Sequence, residues 1–218
     1  MISNTNQNKS SEANFGMDFV KEFSVFLFES KIIQFGDFTL ASGKKSPYYV
    51  DLRLVPSYPH QFRQMVKHLQ NEITEKVGLE NFDSLVSVPT GGLVIASALA
   101  IETVKPLIYV RSKPKEYGTS KSVEGKIHEG LKVVMIDDVA TTGGSVVNAI
   151  KSLKEAKIRV EDAFVIVNRM EGADEALQKQ GVRLHSILDV LQITKVLNEN
   201  NLVDDSVLKR VEEQMGRK

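Results

Sequence analysis

Four short apolar runs, each followed at once by a polar or glycine-rich stretch, constrain this chain more than any other feature. They are Leu85–Val88, Leu107–Val110, Val133–Ile136 and Ala163–Val167. Runs of this length without polar alternation suit strands buried on both faces, as in a parallel sheet. Helical stretches at Gly92–Thr103 and Ser145–Ala156 separate some of them, as βαβ crossovers require. A fifth strand is expected near Val182–Leu188, with one or two helices after it. The fold class is therefore α/β, with a Rossmann-like parallel-sheet core. In open sheets of this kind ligands bind beyond the carboxyl ends of the strands. The four runs lead in turn into Pro-Thr-Gly-Gly, Arg-Ser-Lys-Pro-Lys, Asp-Asp-Val-Ala-Thr-Thr-Gly-Gly-Ser and Asn-Arg-Met-Glu-Gly. If the strands lie side by side, these four ends converge on one polar, partly basic pocket.

The third end is the most informative. A buried strand runs into two carboxylates, Asp137 and Asp138. The small or hydroxylic residues Val139, Ala140, Thr141, Thr142, Gly143, Gly144 and Ser145 then open a helix. Unpaired N–H groups at a helix start and the positive end of its dipole favour a phosphate. The hydroxyls add donors, and the two glycines permit a tight turn and close backbone approach. Two carboxylates facing a phosphate would repel it, but facing a sugar diol they accept hydrogen bonds. The alternative is that Asp137–Asp138 merely ends a strand and caps the next helix. The loop contains no Lys, and neither the GxxxxGK[ST] nor the GxGxxG spacing is present, so the common nucleotide loops do not fit.

Composition narrows the partners. The chain has 218 residues, 42% hydrophobic, enough for a sizeable core. Lys plus Arg and Asp plus Glu are 28 each, so no global charge draws it to nucleic acid or a membrane surface. Cysteine is absent, which excludes disulfides, thiol catalysis and thiolate metal sites, and fits a cytoplasmic location. Residues 1–16 read as a frayed polar tail, and the apolar stretch Gly91–Ile101 is too short to span a bilayer. His60, His68, His128 and His185 show no paired ligand spacing and read as surface or packing residues.

An apolar strand, two acids and a Thr/Gly/Ser loop closely resemble the signature of the type I phosphoribosyltransferases, and the resemblance spans roughly residues 19–190. It implies that Asp137 and Asp138 hold the ribose hydroxyls of 5-phosphoribosyl 1-diphosphate while the adjoining loop holds its 5-phosphate. It further implies that the turn at Thr90 and Gly91 binds the diphosphate, often through a non-proline cis peptide, here Pro89–Thr90. The stretch Arg111–Gly125 has hardly an apolar anchor and carries a positive excess, and a structureless loop of that length is usually a lid. By resemblance Arg111 and Lys115 are the catalytic cations, donated across a homodimer interface. Ser112 and Tyr117 stand where many relatives have Lys and His, leaving Tyr117 as a hydrogen-bond donor to the diphosphate.

The segment FTLASGKKSPYYVDLR resembles the orotate-specific group of that family, in which it forms a hood over the base. Lys44, Lys45 and Tyr49 are hood contacts or surface residues, and Ala41 replaces a Lys that some relatives place on the diphosphate. Arg169 and Thr141 are the residues the resemblance assigns to orotate. A guanidinium fork matches a carboxylate, which purines lack. The expected division is a hood over residues 17–57, a phosphoribosyltransferase core over 58–190 and a helical segment over 191–218. Magnesium is expected on the diphosphate, held by substrate oxygens and waters rather than by a protein cage. The rival readings are a phosphoribosyltransferase for another base and a phosphoribosyl-diphosphate-binding regulator without catalysis.

Overall fold

A computed structural model describes residues 18–40, 43–111 and 122–216. The expectations for residues 1–16, Ala41, Ser112, Lys115 and Tyr117 lie outside the described residues. The chain divides into two units, one holding the described residues up to Asp51 together with those from Val190 onward, the other spanning Leu52–Asp189.

In the first unit, helix α1 (18–29) buries Phe19, Phe23 and Leu27, with the Phe19 and Phe23 rings stacked at 5.0 Å. Strands β1 (Ile33–Thr39) and β2 (Lys45–Val50) pair antiparallel, Ile33 opposite Val50, and the Gly43 N–H closes the turn between them on the Leu40 carbonyl (2.8 Å). Gly43 enters that turn at φ 81°, a left-handed conformation that favours glycine. Helices α6 (Val190–Glu199) and α7 (Asp205–Gln214) complete the unit. Asp204 caps α7, its carboxylate accepting from the N–H groups of Ser206 (2.9 Å) and Val207 (3.1 Å). Such a cap contributes about 1 kcal/mol. Arg210 of α7 pairs with Asp37 of β1.

The second unit carries the sheet. After a 3-10 turn at Leu52–Ser57, α2 (Pro59–Lys76) begins with proline, whose missing N–H is no loss at a helix start. Then come β3 (Ser84–Ser87), α3 (Gly91–Thr103), β4 (Leu107–Val110), β5 (Val123–Glu124), β6 (Lys132–Ala140), α4 (Gly144–Glu155), β7 (Arg159–Asn168), α5 (Ala173–Gln178) and β8 (Arg183–Asp189). The spatial order is β5-β4-β3-β6-β7-β8, parallel throughout except for β5 at one edge.

The central strands are buried on both faces. Val133 and Met135 of β6 and Val86 of β3 pack with Val146, Ile150 and Leu153 of α4. Val134 and Ile136, on the opposite side of the pleat, are equally buried, and α3 lies against β6. Each such aliphatic contributes about 1.5–3 kcal/mol on burial.

Two elements differ from expectation. β6 does not stop at Ile136 but continues through both aspartates to Ala140, because β7 is long enough to pair with it as far as Ala140 opposite Asn168. The stretch after Arg111 is also shorter than the sequence suggests. Val123 is buried, and with Glu124 it returns to β4 as β5, placing Val110 opposite Val123. One short two-residue strand is too little pattern to detect in sequence.

Candidate active site

The strand order reverses between β3 and β6. β3 leads through α3 to β4 on one side, whereas β6 leads through α4 and α5 to β7 and β8 on the other. The crevice at such a switch point is where open α/β sheets bind ligands. Here it brings together the Pro-Thr-Gly-Gly turn after β3 and the acidic end of β6, two motifs some 45 residues apart in the chain.

Their fit is close. A methyl group on Gly91 would lie 2.0 Å from Asp138 Oδ2, and one on Gly92 would lie 2.5 Å from Asp137 Oδ1 and 2.8 Å from the Asp137 Cα. Gly92 is therefore required by the neighbouring backbone rather than by its own backbone angles, whereas at Gly91 the conflict is with the Asp138 side chain alone. Ser87 ties the strands together, its hydroxyl donating to the Ile136 carbonyl at 2.8 Å. The Pro89–Thr90 peptide, singled out in the sequence, is cis.

The two carboxylates have different surroundings. Asp137 is buried and Asp138 is half-buried. The Asp138 N–H donates to Asp137 Oδ1 (3.0 Å), and the Val139 N–H to Asp138 Oδ1 (2.9 Å). Burial, the Asp138 charge and the side-chain hydrogen bond with Asp138 push the Asp137 carboxyl up to about 8. Asp137 is thus held toward its protonated form in the bare site.

The loop beyond β6 turns at Gly143, which has φ 76° and precedes the first residue of α4 with no side chain capping the helix. A methyl group on Gly143 would lie 2.9 Å from Leu177 Cδ1 and 3.3 Å from Ala173 Cα, so α5 packs directly on the loop. Gly144 differs: a methyl there would meet only Thr142 Oγ1, at 3.8 Å. Thr142, Gly144 and Ser145 are exposed, Thr141 and Val139 half-buried, and Ala140 buried.

Arg111 and Arg169 stand at the ends of β4 and β7. The Arg111 N–H donates to the Ser122 carbonyl (2.8 Å), and its Nη1 lies 3.3 Å from Glu124 Oε1. The Arg169 N–H donates to the Ala140 carbonyl (2.8 Å), which fastens β7 to the residue just before Thr141. Its side chain is buried and pairs with Glu171. Beside it, Asn168 donates to Asp174 Oδ2 (2.9 Å) and accepts from the Met170 N–H (2.8 Å). An aspartate at 168 would set two carboxylates against each other, so Asn168 and Asp174 form a matched pair. Glu171 and Asp174 were not singled out in the sequence; Glu171 stood within the run Asn-Arg-Met-Glu-Gly, already marked as a strand end, and Asp174 just beyond it.

The phosphoribosyl transferase domain model matches residues 59–193. The orotate phosphoribosyltransferase of Cenarchaeum symbiosum is 50% identical over 90% of this chain and 98% of its own length. That of Sulfolobus acidocaldarius is 41% identical over 91% of this chain and 96% of its own. The crystal structure of the Aeropyrum pernix orotate phosphoribosyltransferase superposes with a TM-score of 0.72 at 34% identity, over 83% of this chain and 99% of that one. With the two glycine-lined strand ends facing each other across the switch point, these likenesses show that the chain belongs to the orotate phosphoribosyltransferase family.

Proposed function

We propose that the chain transfers the 5-phosphoribosyl group of 5-phosphoribosyl 1-diphosphate to orotate, giving orotidine 5′-phosphate and diphosphate in UMP biosynthesis. The observation that carries the reading is the meeting of the Asp137–Asp138 strand end with the Pro-Thr-Gly-Gly turn beside an uncapped helix start. The carboxylates accept hydrogen bonds from the ribose hydroxyls. The N–H and hydroxyl groups from Thr141 to Ser145 take the 5-phosphate, and Thr90 and Gly91 face the diphosphate.

In the reaction the bond from C1 to the diphosphate oxygen breaks, and the departing group keeps the electron pair. A ring nitrogen of orotate, already relieved of its proton, forms the new bond to C1. No protein base is needed, so the enzyme's contribution is positioning and stabilisation of developing charge. Arg111 and Lys115 are the groups proposed to meet the charge on the leaving diphosphate, with Tyr117 donating a hydrogen bond. Arg169 and Thr141 hold orotate, Arg169 through its carboxylate.

Magnesium belongs to the same proposal. The strand end supplies only hard oxygen donors, with the Asp138 carboxylate lying against Gly91 of the diphosphate turn, and this suits Mg2+. When bound, the ion would screen the diphosphate charge, held chiefly by substrate oxygens and waters. A homodimer that shares the basic loop is proposed as well. Support for it is the outer side of α3, where Ile101 is 80% and the adjoining Val104 89% exposed. Among the described residues no helix is long and apolar enough to cross a membrane; the cytoplasmic location expected from the cysteine-free sequence stays part of this proposal.

The test is diphosphate release from 5-phosphoribosyl 1-diphosphate and magnesium, with orotate, uracil and adenine supplied in competition. Orotate should be consumed first, and Asp137→Asn/Asp138→Asn should abolish turnover. Faster consumption of another base would assign a different acceptor. Tight binding of 5-phosphoribosyl 1-diphosphate without turnover on any base would favour the regulator.

A further inference from the structure

We infer that Glu171 is a positioning residue that fixes the Arg169 guanidinium for the carboxylate of the base. The inference rests on the reading of Arg169 as the orotate contact. Residues two apart in an extended chain point the same way but do not fold onto each other, and here a specific turn makes them do so. The Arg169 N–H is bonded to the Ala140 carbonyl (2.8 Å), which fixes where its side chain begins. Met170 then adopts φ 56°, left-handed and rare for a residue with a side chain. Asn168 holds it there by accepting the Met170 N–H, and Asn168 is itself anchored on Asp174.

The turn carries Glu171 back over Arg169. One carboxylate oxygen, Oε1, takes both Arg169 Nε (3.1 Å) and Nη2 (2.9 Å), and the two side chains are only 7% and 3% exposed. These two nitrogens form the side edge of the guanidinium plane. A planar group held by one edge has a set orientation, and a set orientation is what fork-like recognition of a carboxylate requires. The buried carboxylate also neutralises a buried cation, so the pair has a structural use whatever its part in catalysis. A purely structural pair and a positioning pair predict different kinetics.

The experiment measures kcat and the KM values for orotate and for 5-phosphoribosyl 1-diphosphate in Glu171→Gln, Glu171→Ala, Arg169→Ala and the double Arg169→Ala/Glu171→Ala variant. Thermal melting confirms that each is folded. A neutral acceptor holds a guanidinium about half as strongly as a carboxylate, so Glu171→Gln should raise the orotate KM about three- to tenfold and Glu171→Ala more than tenfold. The KM for 5-phosphoribosyl 1-diphosphate should stay within about twofold, and Glu171→Ala should add nothing once Arg169 is gone. If Glu171→Ala does not fold, the selective rise in Glu171→Gln decides alone. An unchanged orotate KM at position 171, or equal rises in both KM values, overturns the inference while leaving Arg169 in the site. An unchanged orotate KM in Arg169→Ala overturns the underlying reading instead.

Discussion

Adding one methyl group at Gly92 tests whether the turn after β3 and the acidic end of β6 form one rigid unit. The new Cβ would lie 2.8 Å from the Asp137 Cα, roughly 0.6 Å inside the shortest ordinary contact of 3.4 Å. It would also lie 2.9 Å from Ser87 Oγ and 2.5 Å from Asp137 Oδ1. The carboxylate can swing aside, but the Cα cannot, because β6 is paired on both sides, Ile136 with Ser87 and Asp137 with Val165. Overpacking costs about 1–3 kcal/mol, and a backbone contact this short belongs to the upper part of that range, about 2–3 kcal/mol. Replacing a helical glycine by alanine returns up to about 1 kcal/mol. The net loss in Gly92→Ala is then about 1–2 kcal/mol, a fall in Tm of about 2–8 °C for a chain of this size. Activity should fall with it, since any shift moves Asp137 or the turn. Gly144→Ala is the counterpart, for its methyl meets only Thr142 Oγ1 at 3.8 Å. That variant should melt no lower than the parent yet bind 5-phosphoribosyl 1-diphosphate at least about tenfold more weakly, because the methyl enters the space left for phosphate. Differential scanning calorimetry and diphosphate-release kinetics read both. Equal melting temperatures for Gly92→Ala and the parent, with unchanged kinetics, would refute the reasoning.

The raised Asp137 carboxyl makes the ligand-free protein pH-sensitive. Its proton is bound more tightly in the folded chain than in the unfolded one, so it contributes stability that is complete below the ordinary carboxylate range and is lost as pH rises through about 8. Tm should therefore fall between pH 5 and 9, and Asp137→Asn should flatten that slope; parallel slopes would reject it. The same group predicts that binding of 5-phosphoribosyl 1-diphosphate near pH 7 releases a proton, seen by calorimetry in buffers of different ionisation enthalpy and absent in Asp137→Asn. Asp162 behaves oppositely: burial pushes its carboxyl up, but hydrogen bonds and charge from Arg183 and His185 outweigh that and hold it below its usual value. Its contribution is present above the ordinary carboxylate range and lost as pH falls through its lowered folded value, so Asp162→Asn should lower Tm at pH 7 by more than it does at the acid end of the titration. Arg169→Ala should reduce kcat/KM for orotate by about 1.5–3 kcal/mol of transition-state binding, and an undiminished response would remove Arg169 from the site.

Much of the site was legible because its chemistry is local. Asp137, Asp138 and the Thr-Thr-Gly-Gly-Ser run are consecutive, so a strand, an acid pair and a phosphate loop can be read in one window. Arg169 was legible as a cation after a buried run. Glu171 was not, because its contact depends on the left-handed Met170, and nothing about a methionine announces that conformation. β5 escaped notice for a related reason: two residues hold no periodicity, and pairing with β4 is what makes them a strand. His185 read as a packing residue; it stacks on Phe164 at 4.5 Å and also bonds Asp162 at 2.7 Å, a partner on another strand that sequence spacing cannot reveal.

By itself, the sequence determined the α/β class, the positions of the buried strands and the residues just after each one, since these depend on near neighbours and on the burial that apolar runs demand. Only the tertiary structure decided that β3 lies beside β6 and that Gly91 and Gly92 press against the two aspartates. Strand order is set by how the crossover helices pack on the two faces, a sum of contacts between distant segments. No window of consecutive residues contains that sum.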